Sequence, residues 1–237
     1  WVISPLMGGL LAAVLLTIVN FTILREKEKI VAARVWVPVL VGVMIGVFAM
    51  YMSMKGLSRV WKPEGHIVLL IGLLAGGIGW FAAQPWVRAR TEGMDNSNKQ
   101  VGTLFRLPLI FATALLSFAH GANDVANAVG PLAAIVSAVQ QGGEVGGSVS
   151  LPIWVLAIGA LGLALGLALF GPRLIRTVGE KITKLNEIRG YCVALSAAST
   201  VLVASALGLP VSSTHIAVGA VFGVGFLREG FSNQNIR

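Results

Sequence analysis

Seven apolar segments separated by polar connections leave this chain one environment in which to fold. A bilayer core about 30 Å thick takes about 20 apolar residues of helix. Trp1–Leu24, Val35–Met54 and Leu151–Phe170 meet that length directly. His66–Phe81 is shorter and Gly-rich, and Leu107–Ala138 is too long for one plain helix. Tyr191–Gly208 and Thr214–Leu227 read as two short helices joined by Leu-Pro-Val-Ser-Ser. Only 12% of the residues are charged, where a soluble domain carries about 25%. Mean hydropathy is +0.83. The fold class that follows is an all-α, polytopic helical membrane protein.

The charge pattern gives the segments an order. The net charge is +8 and the isoelectric point about 10.3. A nucleic-acid partner is rejected, because the basic residues sit in short connections rather than on one soluble face. If Arg25–Arg34 is cytoplasmic, alternation places Ala82–Arg106 and Gly171–Gly190 on the same side. Those connections hold Arg25, Lys27, Lys29, Arg34, Arg88, Arg90, Lys99, Arg106, Arg173, Arg176, Lys181, Lys184 and Arg189. The opposite side, Lys55–Gly65 and Gln140–Ser150, holds only Lys55, Arg59 and Lys62. This is the positive-inside bias, and it predicts a multi-pass protein of the cell (inner or plasma) membrane. The last two helices begin and end on the basic side, as a hairpin turning at Pro210 would. Within Ala82–Arg106, Met94–Gln100 reads as a flexible tip.

One carboxylate stands apart. Asp124 is the only acidic residue inside an apolar segment. A charged side chain at mid-membrane costs about 2.5–3.5 kcal/mol on insertion scales, so its presence points to an ion or substrate site. Asn123 and Asn127 flank it, and helical spacing lets the three line one side. Gly121 and Gly130-Pro131 predict that the helix breaks here, freeing backbone carbonyls. Carboxylate, amide and carbonyl oxygens suit Na+ or a shared proton. The bland alternative is that Asn and Asp satisfy the backbone of a kink. His120, one turn earlier, can relay a proton, fix the Asp or simply pack.

A second cluster runs Gly208-Leu-Pro-Val-Ser-Ser-Thr-His215. Pro210 ends one helix, and Ser212, Ser213 or Thr214 can cap the next. A helix N-terminus within the membrane offers unpaired N–H groups and partial positive charge to an anion. The alternative is a capped turn without a ligand, and a structural hydrogen bond is the role expected of His215. Several spans carry Gly-x-x-x-Gly, at Gly42–Gly46, Gly72–Gly76, Gly162–Gly166 and Gly219–Gly223; close packing within the bundle is favoured over a dimer face, although a homodimer stays open. No phosphate-cradling P-loop, His-Glu-x-x-His or paired-cysteine motif occurs, and Cys192 is the single cysteine. Neither an enzyme nor a cofactor is indicated; Ser213 with His215 makes a poor catalytic pair.

Together, Gly121-Ala-Asn-Asp-Val-Ala-Asn127 with its Ala128–Ala133 continuation, the Val178–Lys184 stretch and Gly208–His215 resemble the PiT-type inorganic phosphate transporter family. The resemblance implies an inverted-repeat secondary transporter with broken helices and a helical hairpin. It implies cation-coupled symport of inorganic phosphate by alternating access, driven by Na+ or H+. Sulfate is the alternative substrate, and a cation channel the alternative class. It places the coupling ion at Asp124, Asn123 and Asn127, and the anion at Ser212, Ser213 and Thr214 with Asn123 and Asn127. His120 and His215 are accessory. It divides the chain into middle spans (1–81), a polar cytoplasmic connection (82–106), a second repeat (107–227) and a last connection (228–237). The family carries the Gly-Ala-Asn-Asp signature twice and this sequence once, so the expectation is a fragment whose partner repeat lies upstream.

Overall fold

A computed structural model describes residues 2–56, 63–140, 152–176, 185–207, 209 and 211–234. These residues form eight α-helices: α1 Ile3–Val19, α2 Lys29–Tyr51, α3 Gly65–Thr91, α4 Asn98–Leu104, α5 Arg106–Gln140, α6 Ile153–Arg176, α7 Glu187–Ala206 and α8 Ser213–Gln234. Wider π-helical turns extend α1 through Asn20–Leu24 and α2 through Met52–Gly56. Among the described residues six helices are long and apolar enough to cross a membrane, and α8 adds a shorter apolar helix. Lys55, Arg59, Lys62, Lys181, Lys184 and Pro210 bear on the expected sidedness and turn. Of these, Arg59, Lys62, Lys181, Lys184 and Pro210 lie outside the described residues, as do most of Gln140–Ser150 and the Val178–Lys184 stretch.

Helix α7 is the hub. About two-thirds of its spanning window is buried, against 6% for α6. It packs on α1, α5 and α8, while α6 leans chiefly on α5. The core around α7 gathers Tyr191, Cys192, Ala194 and Leu195 against Val37 and Leu40 of α2 and Phe105 before α5. Phe105 meets Tyr191 edge to face at 5.5 Å, and the Tyr191 hydroxyl donates to the Leu40 carbonyl at 2.7 Å. A phenol buried between packed helices needs such an acceptor.

The closest helix crossings are made by glycine. A Cβ on Gly42 would stand 2.7 Å from the Gly76 carbonyl oxygen, and one on Gly46 2.8 Å from that of Gly72. Gly9 of α1 meets Gly219 and Gly223 of α8 in the same way. Without a hydrophobic drive between helices in lipid, small residues supply the van der Waals contact. Three of the four Gly-x-x-x-Gly motifs are thus used inside the chain. Gly162–Gly166 on α6 faces open space.

Helix bounds differ from the sequence reading at several places, α6 and α8 running on to Arg176 and Gln234; four differences have a clear physical cause. Helix α2 starts at Lys29, six residues early, because Arg34 can ride its surface with its guanidinium on Thr91 Oγ1 at 2.8 Å. Helix α3 runs on through Pro85 to Thr91, since Ala83 and Val87 continue its buried face. The expected flexible tip is folded: Asn96 accepts from the Lys29 N–H at 2.7 Å and donates to the Lys27 carbonyl at 2.5 Å. Ser97 then caps α4. Most of 82–106 is therefore helix and ordered turn. Finally, α5 does not break. It is helical from Arg106 through Gly121, Gly130 and Pro131 to Gln140. In hydrocarbon a free carbonyl costs several kcal/mol, so losing the single bond that Pro131 forbids is cheaper than ending the helix.

Candidate functional site

Helix lengths bring the two polar clusters to one level. Asp124 lies 18 residues along α5 from Arg106, about 27 Å at 1.5 Å per residue. Helix α7 starts at Glu187, which faces Arg106 at 3.3 Å, and its 20 residues span about 30 Å. The chain then turns, and Ser213 opens α8. Two helices that start side by side thus deliver Asp124 and Ser213 to the same depth, far from the basic end.

There the clusters join. The Ser213 hydroxyl donates to Asp124 Oδ1 at 2.8 Å and lies 2.6 Å from His120 Nδ1. His120 Nδ1 is also 3.4 Å from Asp124 Oδ2. Asn123 Nδ2 donates to Asp124 Oδ1 at 3.2 Å and reaches the Val211 carbonyl at 3.5 Å. A serine has one proton, and an ionised carboxylate only accepts. With that proton on Asp124, the short Ser213–His120 contact requires His120 to donate from Nδ1. The network therefore puts a proton on His120 Nδ1 and leaves Nε2 unused by these contacts. Of the roles open to His120, orienting Asp124 and Ser213 is the one this geometry displays.

The neighbouring hydroxyls do different work. Ser212 caps α8: its Oγ accepts the His215 N–H at 3.3 Å, and its carbonyl accepts the Ile216 N–H at 3.0 Å. The N–H groups of Ser213 and Thr214 precede any helical acceptor. Thr214 is exposed and Ser213 is buried. His215 is exposed and contributes its backbone N–H to the cap. Asn127 is exposed, one turn past the cluster, and takes no part in these hydrogen bonds. The structure thus unites His120, Asn123, Asp124 and Ser213, places Ser212 and Thr214 beside them, and leaves Asn127 apart.

The site is electrostatically two-sided. Asp124 Oδ atoms, Ser213 Oγ and the Val211 carbonyl are hard oxygen donors of the kind Na+ takes. The start of α8 presents N–H groups and partial positive charge to an anion. No cluster of three His, Cys, Asp or Glu exists among the described residues. Sequence reasoning missed Tyr51, whose hydroxyl donates to the Ala119 carbonyl at 3.3 Å, just before His120. Its ring meets Phe118 edge to face at 5.9 Å. The available signal was rarity: the chain has only two tyrosines, and both anchor a buried hydroxyl on a backbone carbonyl of another helix.

Comparison with known proteins places this geometry. A profile described as the phosphate transporter family matches residues 1–237. A Helicobacter pylori protein named "Putative phosphate permease" is 49% identical over 239 residues, covering all of this chain and 45% of that protein. The chloroplastic inorganic phosphate transporter 2-1 of Arabidopsis thaliana is 35% identical, over 96% of this chain and 43% of its own length. A solved structure titled "The sodium-dependent phosphate transporter" superposes with a TM-score of 0.83 at 36% identity, over 96% of this chain and 56% of that one. The chain spans about half the length of these relatives.

Proposed function

Given that the chain belongs to the phosphate transporter family, we propose that it forms one half of a cation-coupled inorganic phosphate symporter working by alternating access. The observation that carries this reading is the Ser213–Asp124 hydrogen bond. It ties the anion-attracting start of α8 to the one intramembrane carboxylate. Phosphate near Asp124 meets repulsion: at about 6 Å and an effective dielectric of 20, each of its charges costs about 3 kcal/mol. A cation on Asp124 cancels that term. As Ser213 Oγ turns its lone pairs to the cation, its proton leaves Asp124 and becomes available to the anion. Binding of the two solutes is then mutually favourable, as linkage requires.

The name of the sodium-dependent structural neighbour supports Na+ over H+ as the coupling ion. The names of the relatives support phosphate over sulfate. In inverted-repeat carriers the site lies between the halves, and here Asp124 is 29% and His120 45% exposed, as surfaces awaiting an opposing repeat would be. The test is radiolabelled phosphate uptake by the full-length parent under imposed Na+ or proton gradients, with sulfate as competitor. Accumulation driven by Na+ and indifferent to sulfate supports the reading. Uptake down a gradient without any coupling ion contradicts it. The 237-residue chain alone should insert but not accumulate phosphate, and co-expression with the other repeat should recover uptake.

A further inference from the structure

Away from the transport site, two pockets lie on one face of the α2/α3 pair. The first, about 480 Å³, is lined by Val31, Arg34, Val35, Arg88 and Glu92. The second, about 380 Å³, runs along Val39, Val43, Gly46, Leu73, Gly77 and Trp80, among others, as far as Met50. Val31, Val35, Val39 and Val43 are spaced by four on α2; Trp80 and Arg88 of α3, with Glu92 just past its end, fall on multiples of the same spacing. One helical stripe therefore connects the pockets. The result is a groove with a basic head at the charged end of the bundle and an apolar tail.

The head carries unused positive charge. Arg34 spends Nε and Nη2 on Thr91. The Arg88 carbonyl accepts from Thr91 Oγ1 at 2.9 Å, but its guanidinium makes no hydrogen bond or ion pair with any described residue, and Glu92, one turn along, does not pair with it. Basic pockets between spanning helices at the membrane surface suit phospholipid head groups. The tail has the dimensions of a single chain. Val39 to Met50 is 11 residues, about 16 Å, or half of a bilayer core of about 30 Å. A volume of 380 Å³ over that length gives a cross-section of about 24 Å². One acyl chain fills such a channel, whereas a helix of a second copy, about 10 Å across, would lie over its mouth rather than inside it.

We propose that this groove holds one anionic phospholipid, its phosphate against Arg88 and Arg34 and one acyl chain between α2 and α3. The experiment is native mass spectrometry of the 237-residue chain in neutral detergent, titrated with phosphatidylglycerol or phosphatidylcholine of matched chains. One phosphatidylglycerol should be retained at least five-fold better than phosphatidylcholine. Arg88→Gln should lower its affinity about five-fold, and Arg88→Lys should restore part of it. Gly77→Leu should lower it independently by filling the tail, and a Cβ at Gly77 meets nothing within 4 Å, so the fold accommodates the change. Millimolar inorganic phosphate should not displace the lipid. Equal retention by the parent chain, Arg88→Gln and Gly77→Leu would overturn the proposal. So would equal retention of the two lipids, displacement by inorganic phosphate, or a lipid-independent dimer that Gly77→Leu disrupts.

Discussion

Two stretches of this chain place glycine and proline within apolar sequence, and they fold in opposite ways. Across Gly121–Pro131 the helix continues. Between α7 and α8 it stops after Ala206 and restarts at Ser213. The difference lies in what can receive the orphaned backbone. A new helix needs side-chain acceptors for its first N–H groups, and Ser212 supplies one at 3.3 Å. Residues 128–134, Ala-Val-Gly-Pro-Leu-Ala-Ala, supply none. A break at Pro131 would leave donors and acceptors bare in lipid, so the helix runs through. At Pro131 no cap is at hand and the helix runs through; at Ser213 one is, and a new helix starts.

The comparison also divides the chemistry: the continuous helix provides the carboxylate and the broken pair provides the helix N-terminus. Asp124→Asn should have the largest effect. It removes the only intramembrane acid and should abolish ion-driven phosphate uptake in the full-length parent, while membrane insertion holds or improves. Normal sodium-dependent uptake by a well-expressed variant would end the assignment of coupling to α5.

The two serines should then separate. Ser213→Ala loses a hydrogen bond to a charged group worth about 1.5–3 kcal/mol, or roughly ten- to hundred-fold in phosphate affinity measured with Na+ present. Ser212→Ala loses chiefly the cap, about 1 kcal/mol of stability, seen as a lower denaturation midpoint with a smaller change in affinity. Identical phenotypes would mean the pair acts as one unit and that only Ser213's contact with Asp124 distinguishes them on paper.

The smallest effect tests helix continuity itself. At Gly121 a Cβ meets nothing within 4 Å. In an unbroken helix Gly121→Ala gains up to about 1 kcal/mol from propensity. A thermal midpoint that falls instead would point to a break at this position.

Sequence made the architecture legible because bilayer physics leaves few options: long apolar segments must be helices, and basic connections share a side. It made Asp124 and the Ser212–Thr214 turn legible because buried polarity is expensive. What it left hidden was tertiary. Nothing local to Asp124 names Ser213 as its partner, since their meeting depends on the matched lengths of α5 and α7. Asn127 sits at a spacing as favourable as that of Asn123, yet it ends up exposed. Tyr51 shows no motif, because its role is set by where α2 ends against α5. The expected break in α5 came from weighing Gly and Pro propensity, measured in water, above the cost of unpaired backbone in lipid.

The central claim is that Ser213 transmits cation binding at Asp124 to the anion. Calorimetric titration of phosphate into the purified full-length parent, across a series of Na+ concentrations, tests it most directly. The parent should bind phosphate progressively tighter as Na+ rises. Ser213→Ala should bind weakly with little dependence on Na+, whereas Ser212→Ala should keep the dependence. A Ser213→Ala protein whose phosphate affinity rises with Na+ as steeply as the parent's would contradict the account.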